Sequence, residues 1–422
     1  MKITLETGRS HIALDVPEDR ILGILEGKDV PALPHDTVRD IITRGILRHA
    51  PADIGEKKIA VIIPDDTRMW ARGDLFVPGI IDTLLDMGAA PENIAVIIAL
   101  GTHRDIPRDR FELLCGKDTA HRVRVVNSAG LAPDRLVEVG TTPSGTRLTI
   151  TREAAEADHI IIFGGILHHM LAGYGGGRKY ILPGVAGEDA IQANHALAVD
   201  KNGIPRPEVR QAVTDGNPVH QDMKDGADIF LAAKTCTYAA VAANGRGNIF
   251  YAHAGDLHPV FEKGCRALDE ACCTDVGQKA SFAMFSAGGH RTDGQLYQAT
   301  KALFNAVEAV EDGGSLLFVA GCNQGVGNAE FADALQRFKG NPGDLGRQLA
   351  QDFRMPAYVA LRVIDILQRY EVTLVSNLDE KETHALGFAY TASPRDWIWS
   401  RTGNGYVIPF AENILPRVIT DG

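Results

Sequence analysis

The feature that most limits the folds open to this chain is a set of short, wholly apolar runs. Each is closed by a polar or glycine-rich turn, and helical patterns lie between them. Residues 58–63 read KIAVII and stop at Pro64-Asp65-Asp66, with helical spacing over 76–87. Residues 93–100 read NIAVIIAL and stop at Gly101-Thr102-His103-Arg104, and residues 158–163 read DHIIIF and stop at Gly164-Gly165. A strand with one wet face alternates apolar and polar residues, so runs without alternation belong to a sheet covered on both faces. Helices between successive strands imply a parallel sheet, whose ligands sit beyond the carboxyl ends of the strands.

A second alternation begins near Lys279, with strands expected at 280–285 and 315–319 and helices at 295–310, 328–338 and 356–370. The stretch 257–276 looks helical and separates the two halves. The expected fold is α/β in two domains. Residues 1–265 form a Rossmann-like parallel sheet with helices on both faces, carrying cofactor and catalysis. Residues 266–422 form a smaller C-terminal α/β domain that closes over the site.

Lys and Arg number 43 against 54 Asp and Glu, for a net charge of −11, and no basic block suggests a nucleic-acid arm. The longest apolar runs are too short to cross a bilayer. The first twenty residues alternate like a strand and carry charge rather than a signal-type apolar core, so a cytoplasmic location is expected. Six cysteines without a CxxC pair signal neither a zinc knuckle nor a disulfide framework.

Chemistry-bearing residues cluster after the strand ends. His168-His169 leads through Gly175-Gly176-Gly177 to Arg178-Lys179 and on to Asn194-His195. Three glycines after a buried strand let backbone N–H groups approach a ligand, but Arg178 and Tyr180 around the lysine do not make a P-loop. Asp65-Asp66 suits either a divalent metal or the cap of a following helix. Arg68 suits a bidentate grip on a carboxylate or phosphate. His103 stands at the next strand end, and in the second half Gln298 and Lys301 share a helix face. The nine histidines at 11, 35, 49, 121, 159, 220, 253, 258 and 384 have no such company and read as structural. These residues describe a small-molecule anion site rich in imidazole. They do not distinguish a dehydrogenase, a zinc hydrolase or an isomerase.

The ordered set Asp65-x-Thr67-Arg68, Gly101-Thr102-His103-Arg104, His169-x-x-Ala172-Gly173-x-x-Gly176-Gly177-x-Lys179, Asn194-His195 and Tyr297-Gln298-x-x-Lys301 resembles the nickel-pincer lactate racemase family. The resemblance implies a racemase or epimerase that inverts C2 of a 2-hydroxy acid by proton-coupled hydride transfer. Its cofactor would be a nickel pincer nucleotide, the nickel complex of pyridinium-3,5-bisthiocarboxylic acid mononucleotide, supplied by pincer-synthesis enzymes. By the same resemblance Lys179 tethers the cofactor, Asp65, Gly176 and Gly177 contact it, and His195 ligates nickel. His103 and His169 are the paired acid/base groups, and Arg68, Tyr297, Gln298 and Lys301 bind substrate. Gly175 stands where the family often has serine, and Met69 where it often has proline. The resemblance implies a substrate range from lactate to longer, aromatic and sugar acids, and these departures loosen the link to lactate itself. Two other readings use the same residues: a zinc-dependent hydrolase or aldolase built on His103, His169 and His195, and a catalytically silent member that binds nucleotide or metal.

Overall fold

A computed structural model describes residues 1–419, which divide into two compact bodies. The first comprises residues 30–197 and 208–269. Its six-stranded sheet runs in the order Ile249–Gly255, Thr235–Ala243, His159–Gly165, Ile59–Pro64, Ile94–Ala99, Arg124–Asn127. All neighbours are parallel except the first pair. The chain starts in the middle at Ile59–Pro64, works outward to Arg124–Asn127, then returns to the other side of its starting strand with His159–Gly165. Strand order thus reverses between Ile59–Pro64 and His159–Gly165, the place where doubly wound sheets open a ligand crevice.

The unbroken apolar runs have the cause expected of them. Ile59, Val61 and Ile63 pack with Val96, Ile98, Ile161 and Phe163 against Val38, Ile42 and Ile46 of the His35–His49 helix and Phe76, Ile80 and Leu84 of the Gly73–Asp86 helix. The opposite parity, Ala60, Ile62, Ile97, Ile160 and Ile162, is equally inaccessible to solvent. Each buried Ile or Val contributes roughly 1.5–3 kcal/mol, so the central strands form a rigid platform for the turns at their ends.

The second body comprises residues 1–29, 198–207 and 270–422, of which 1–419 are described. Its own six-stranded sheet is all parallel, in the order Ala389–Tyr390, Glu371–Val375, Val310–Val319, Ala280–Ser286, Gly405–Ile408, Ile21–Ile24. This departs from a first domain spanning residues 1–265. The hairpin of Lys2–Thr7 and Ser10–Asp15 buries Ile3, Leu5 and Leu14 against Phe282, Met284 and Leu317, and Ile21–Ile24 supplies the sheet's edge beside Gly405–Ile408. Strand patterning identifies a strand but not the sheet that receives it. The crossing expected after residue 265 falls inside the Leu257–Cys272 helix, and the bodies part at 269/270.

Candidate active site

In the first body, the turns after the two central strands bring most of the singled-out residues together. Asp65 follows Ile59–Pro64 and caps a short 3-10 helix, accepting from the Thr67 N–H at 3.1 Å and the Thr67 hydroxyl at 2.5 Å through Oδ1. Its Oδ2 meets His103 Nδ1 at 2.5 Å. The carboxylate thus caps the turn, as one of its two sequence readings expects, and holds a histidine at the same time. Burial pushes Asp65 upward, but the His103 and Thr67 hydrogen bonds outweigh it and keep the carboxyl below its ordinary range. A carboxylate on Nδ1 makes that nitrogen the donor, which leaves the lone pair of His103 on Nε2. The His103 side chain is 58% exposed, open to a substrate.

Arg68 donates to the Thr67 carbonyl at 3.2 Å and hydroxyl at 3.0 Å, with no carboxylate partner among the described residues. Trp70 packs on the core, its indole lying where a Cβ on Gly165 would stand.

Beyond His159–Gly165 the chain makes a small hairpin, Leu167–His169 with Gly173–Gly175, that sends its two adjacent histidines different ways. His168 bonds Asp269 at 2.8 Å. His169 reaches Lys179 Nζ with Nε2 at 2.9 Å, while its Nδ1 accepts from the N–H groups of Leu171 at 3.1 Å and Ala172 at 3.3 Å. Two N–H donors on Nδ1 place the ring proton on Nε2, so the Lys179 contact requires a lone pair on Nζ. The electrostatics agree. Burial, then the charges of Arg68 and Arg178, bring Lys179 down to about 7. Burial, then Lys179 and Arg68, hold His169 well below its usual range.

Arg178 faces away from Lys179's partner. Its Nη2 donates to the carbonyls of Ala172 at 2.8 Å and Tyr174 at 3.2 Å, and its guanidinium lies 4.2 Å over Phe261, so it pins the hairpin turn. The glycines before it are set by packing as well as by backbone angle. Gly176 has φ 94°, and a Cβ there would lie 2.7 Å from the Gly165 carbonyl; Gly177 has φ 55° and abuts Phe261. A cavity of about 510 Å³ lies on the His168 side, lined in part by Tyr174, Arg178, His220, Phe261 and Asp269, and by none of His103, His169, Lys179 or His195.

His195 sits on the Glu188–Ala196 helix, 6% exposed. Burial first and Lys179 second lower it to about 3, so the ring is neutral. Its Nδ1 faces Asn194 Oδ1 at 3.1 Å. That arrangement suits an imidazole whose Nε2 is a metal ligand.

The remaining sequence candidates belong to the second body. Tyr297, Gln298 and Lys301 lie on the Leu296–Ala306 helix. Tyr297 packs edge-on against Phe331, Gln298 and Lys301 are exposed, and Lys301 lies 3.8 Å from Glu412. Sequence reasoning missed Glu412, and also Asp222, which accepts a hydrogen bond from Asn194 at 2.8 Å. Neither stands in a motif or beside a histidine, so no local signal marked them.

Comparison with known proteins gives the chain a family. Residues 7–204 match the model of the lactate racemase N-terminal domain, and residues 276–393 that of the lactate racemase C-terminal domain. The chain is 31% identical over 338 residues to a lactate racemase of Thermoanaerobacterium thermosaccharolyticum, covering 78% of this chain and 76% of that protein. It is 29% identical over 277 residues to a lactate racemase of Lactiplantibacillus plantarum, covering 66% of this chain and 63% of that protein. Among solved structures, the lactate racemase apoprotein of T. thermosaccharolyticum superposes with a TM-score of 0.84 at 26% identity, covering 99% of this chain and all of that one. A Thermotoga maritima protein shares the fold at TM-score 0.64 and 15% identity, covering 93% of this chain. With both domain models matched in order and a relative at 31% identity over most of its length, the chain belongs to the lactate racemase family.

Proposed function

We propose that this isomerase inverts C2 of a 2-hydroxy acid, lactate or a longer, aromatic or sugar acid, with a nickel pincer nucleotide tethered to Lys179. The observation that carries the reading is the Lys179 amine, 2.9 Å from His169 at the strand-order reversal, with the Asp65–His103 pair at the next strand end. The residues fit the cofactor. A neutral amine is the nucleophile that an acyl-type tether requires, and a neutral His195 with Nδ1 engaged supplies one imidazole donor, a ligand suited to nickel.

When bound, the group supplies an acceptor for the C2 hydrogen as hydride and returns it. The chain supplies the rest. His103, held by Asp65, offers the Nε2 lone pair to the substrate hydroxyl proton, and His169 is the paired acid/base group, its Nε2 the nitrogen available for proton exchange. Arg68 grips the substrate carboxylate. Tyr297, Gln298 and Lys301 are assigned to substrate binding, and the backbone of Gly176 and Gly177 to the nucleotide. The zinc reading has less support. Among the described residues the donor atoms of His103, His169 and His195 do not gather within 4.8 Å of one another, and the His103 and His169 rings are tied to Asp65 and Lys179.

The test uses protein co-expressed with pincer-synthesis enzymes. Intact mass should show an adduct that Lys179→Ala abolishes and His195→Ala retains with less nickel. Substrate deuterated at C2 should keep its label through inversion, because a hydrogen carried as hydride does not exchange with water. Washout of the label by nickel-loaded, active protein defeats the mechanism.

A further inference from the structure

The His195 ring is held by a chain of buried polar groups. Asn194 is fully buried, and both hydrogens of its amide are committed. Nδ2 donates to the Val219 carbonyl at 3.1 Å and to Asp222 Oδ2 at 2.8 Å. An Asn amide presents nitrogen and oxygen in opposite directions, so this double commitment turns Oδ1 toward His195 Nδ1, at 3.1 Å. An oxygen there requires Nδ1 to carry the ring proton. Nε2 is then the nitrogen that presents a lone pair.

Asp222 anchors the other end. It is fully buried in the Pro218–Leu231 helix, and its carboxylate has no cationic partner among the described residues. It accepts instead from the Thr142 hydroxyl through Oδ1 and from the Thr146 hydroxyl at 2.8 Å through Oδ2, alongside Asn194. Thr142 is fixed in turn by the Thr146 N–H, at 3.1 Å on its hydroxyl oxygen. A carboxylate buried without a cation is costly to keep, and a neutral residue could tie these elements together at less cost. The acceptor's direction sets it apart: Asp222 accepts from Thr142, Thr146 and Asn194, and so faces the Asn194 amide with an oxygen that only its nitrogen end can meet.

We propose that Asp222, acting through Asn194, is the positioning residue that fixes the tautomer and aim of His195, so that Nε2 is the atom presented to a metal. The inference rests on the reading of His195 as a nickel ligand for its purpose, and on the hydrogen-bond network alone for its mechanism. It behaves as outer-shell partners of ligating histidines do, whose loss commonly costs about 10–100-fold in metal affinity.

The experiment separates the two. Histidine-ring 15N NMR on the apoprotein, with His195 assigned by its loss in His195→Gln, reads the tautomer directly. The wild-type ring should be in the Nδ1–H form. Asp222→Ala and Asn194→Ala should each raise the Nε2–H population, and Asp222→Asn should stay near wild type, because its amide oxygen can still receive Asn194. After loading with cofactor, nickel retained per chain should fall about tenfold in the two alanine variants, in line with other outer-shell losses. If Asp222→Ala does not fold, Asn194→Ala carries the same readouts from the other end of the chain of bonds. An Nε2–H ring in wild type, or unchanged tautomers in the alanine variants, overturns the proposal. A wild-type protein that shows the expected tautomers yet holds no nickel upholds the positioning network and defeats the metal-ligand reading instead.

Discussion

Lys179 offers the sharpest quantitative test, because two separate features of the first body favour the neutral form of its amine. The N–H groups of Leu171 and Ala172 hold His169 Nδ1, so only a lone pair on Nζ completes the 2.9 Å contact to Nε2. Burial and the charges of Arg68 and Arg178 lower the ammonium to about 7. A lysine at its unperturbed pKa of about 10.4 has roughly 4 × 10⁻⁴ of its amine neutral at pH 7. With half of it neutral, Lys179 carries about 10³-fold more nucleophile at that pH. The perturbation is pH itself, scanned from about 5 to about 12 so as to bracket both values. The assay is a brief pulse of an amine-acylating reagent on the apoprotein, followed by peptide mass mapping. The acylation of Lys179 should reach half its maximum near 7. In Arg68→Ala the half-point should move to higher pH, because one of the charges that disfavour the ammonium has gone. A Lys179 profile that follows the exposed lysines of the same digest would refute both the neutral amine and the tautomer argument behind it.

Two substitutions test the groups around the substrate. Arg68→Ala removes a charge-assisted contact of about 1.5–3 kcal/mol, so kcat/KM on the identified substrate should fall about ten- to hundred-fold; full activity removes Arg68 from the site. Asp65→Ala frees the His103 ring and takes away the acceptor that holds its proton on Nδ1, so kcat should fall by about 10²-fold or more. Nickel content should stay at the wild-type level in that variant, and loss of the metal with the activity would mean that Asp65 supports the cofactor rather than His103.

Much of this was legible in the sequence for a plain physical reason. Residues 59–63 are apolar without a break because both faces of a central strand are covered, and the residue after such a strand is placed by the sheet itself. The turns that carry Asp65 and His103 could therefore be expected at the same edge of the sheet, whereas Lys179 lies beyond a further hairpin and only its motif singled it out. What was hidden depends on partners far along the chain. The alternation of residues 2–15 marks a hairpin but cannot name the sheet that Ile3 and Leu5 pack on. The triple glycine invites a ligand-cradle reading, yet Gly176 and Gly177 are also demanded by the Gly165 carbonyl and the Phe261 ring. Asp222 lies 28 residues from Asn194, with nothing in between to announce the bond.

The two candidate acid/base histidines show how one residue type is given two states by its surroundings. At His103 the acceptor Asp65 faces Nδ1, so the proton is drawn there and Nε2 is a base. At His169 two backbone donors face Nδ1, so the proton is expelled to Nε2 and that nitrogen is a donor. A pair of identical rings in identical environments would compete for the same proton. Opposite partners on the same ring atom remove that competition, and they do so before a substrate arrives. On the proposed reading, inversion needs one group to receive a hydroxyl proton and another to deliver one, and these states suit the enantiomer whose hydroxyl faces His103. The opposite direction requires the two rings to exchange states, so the partners on Nδ1 set which direction the resting site is poised for.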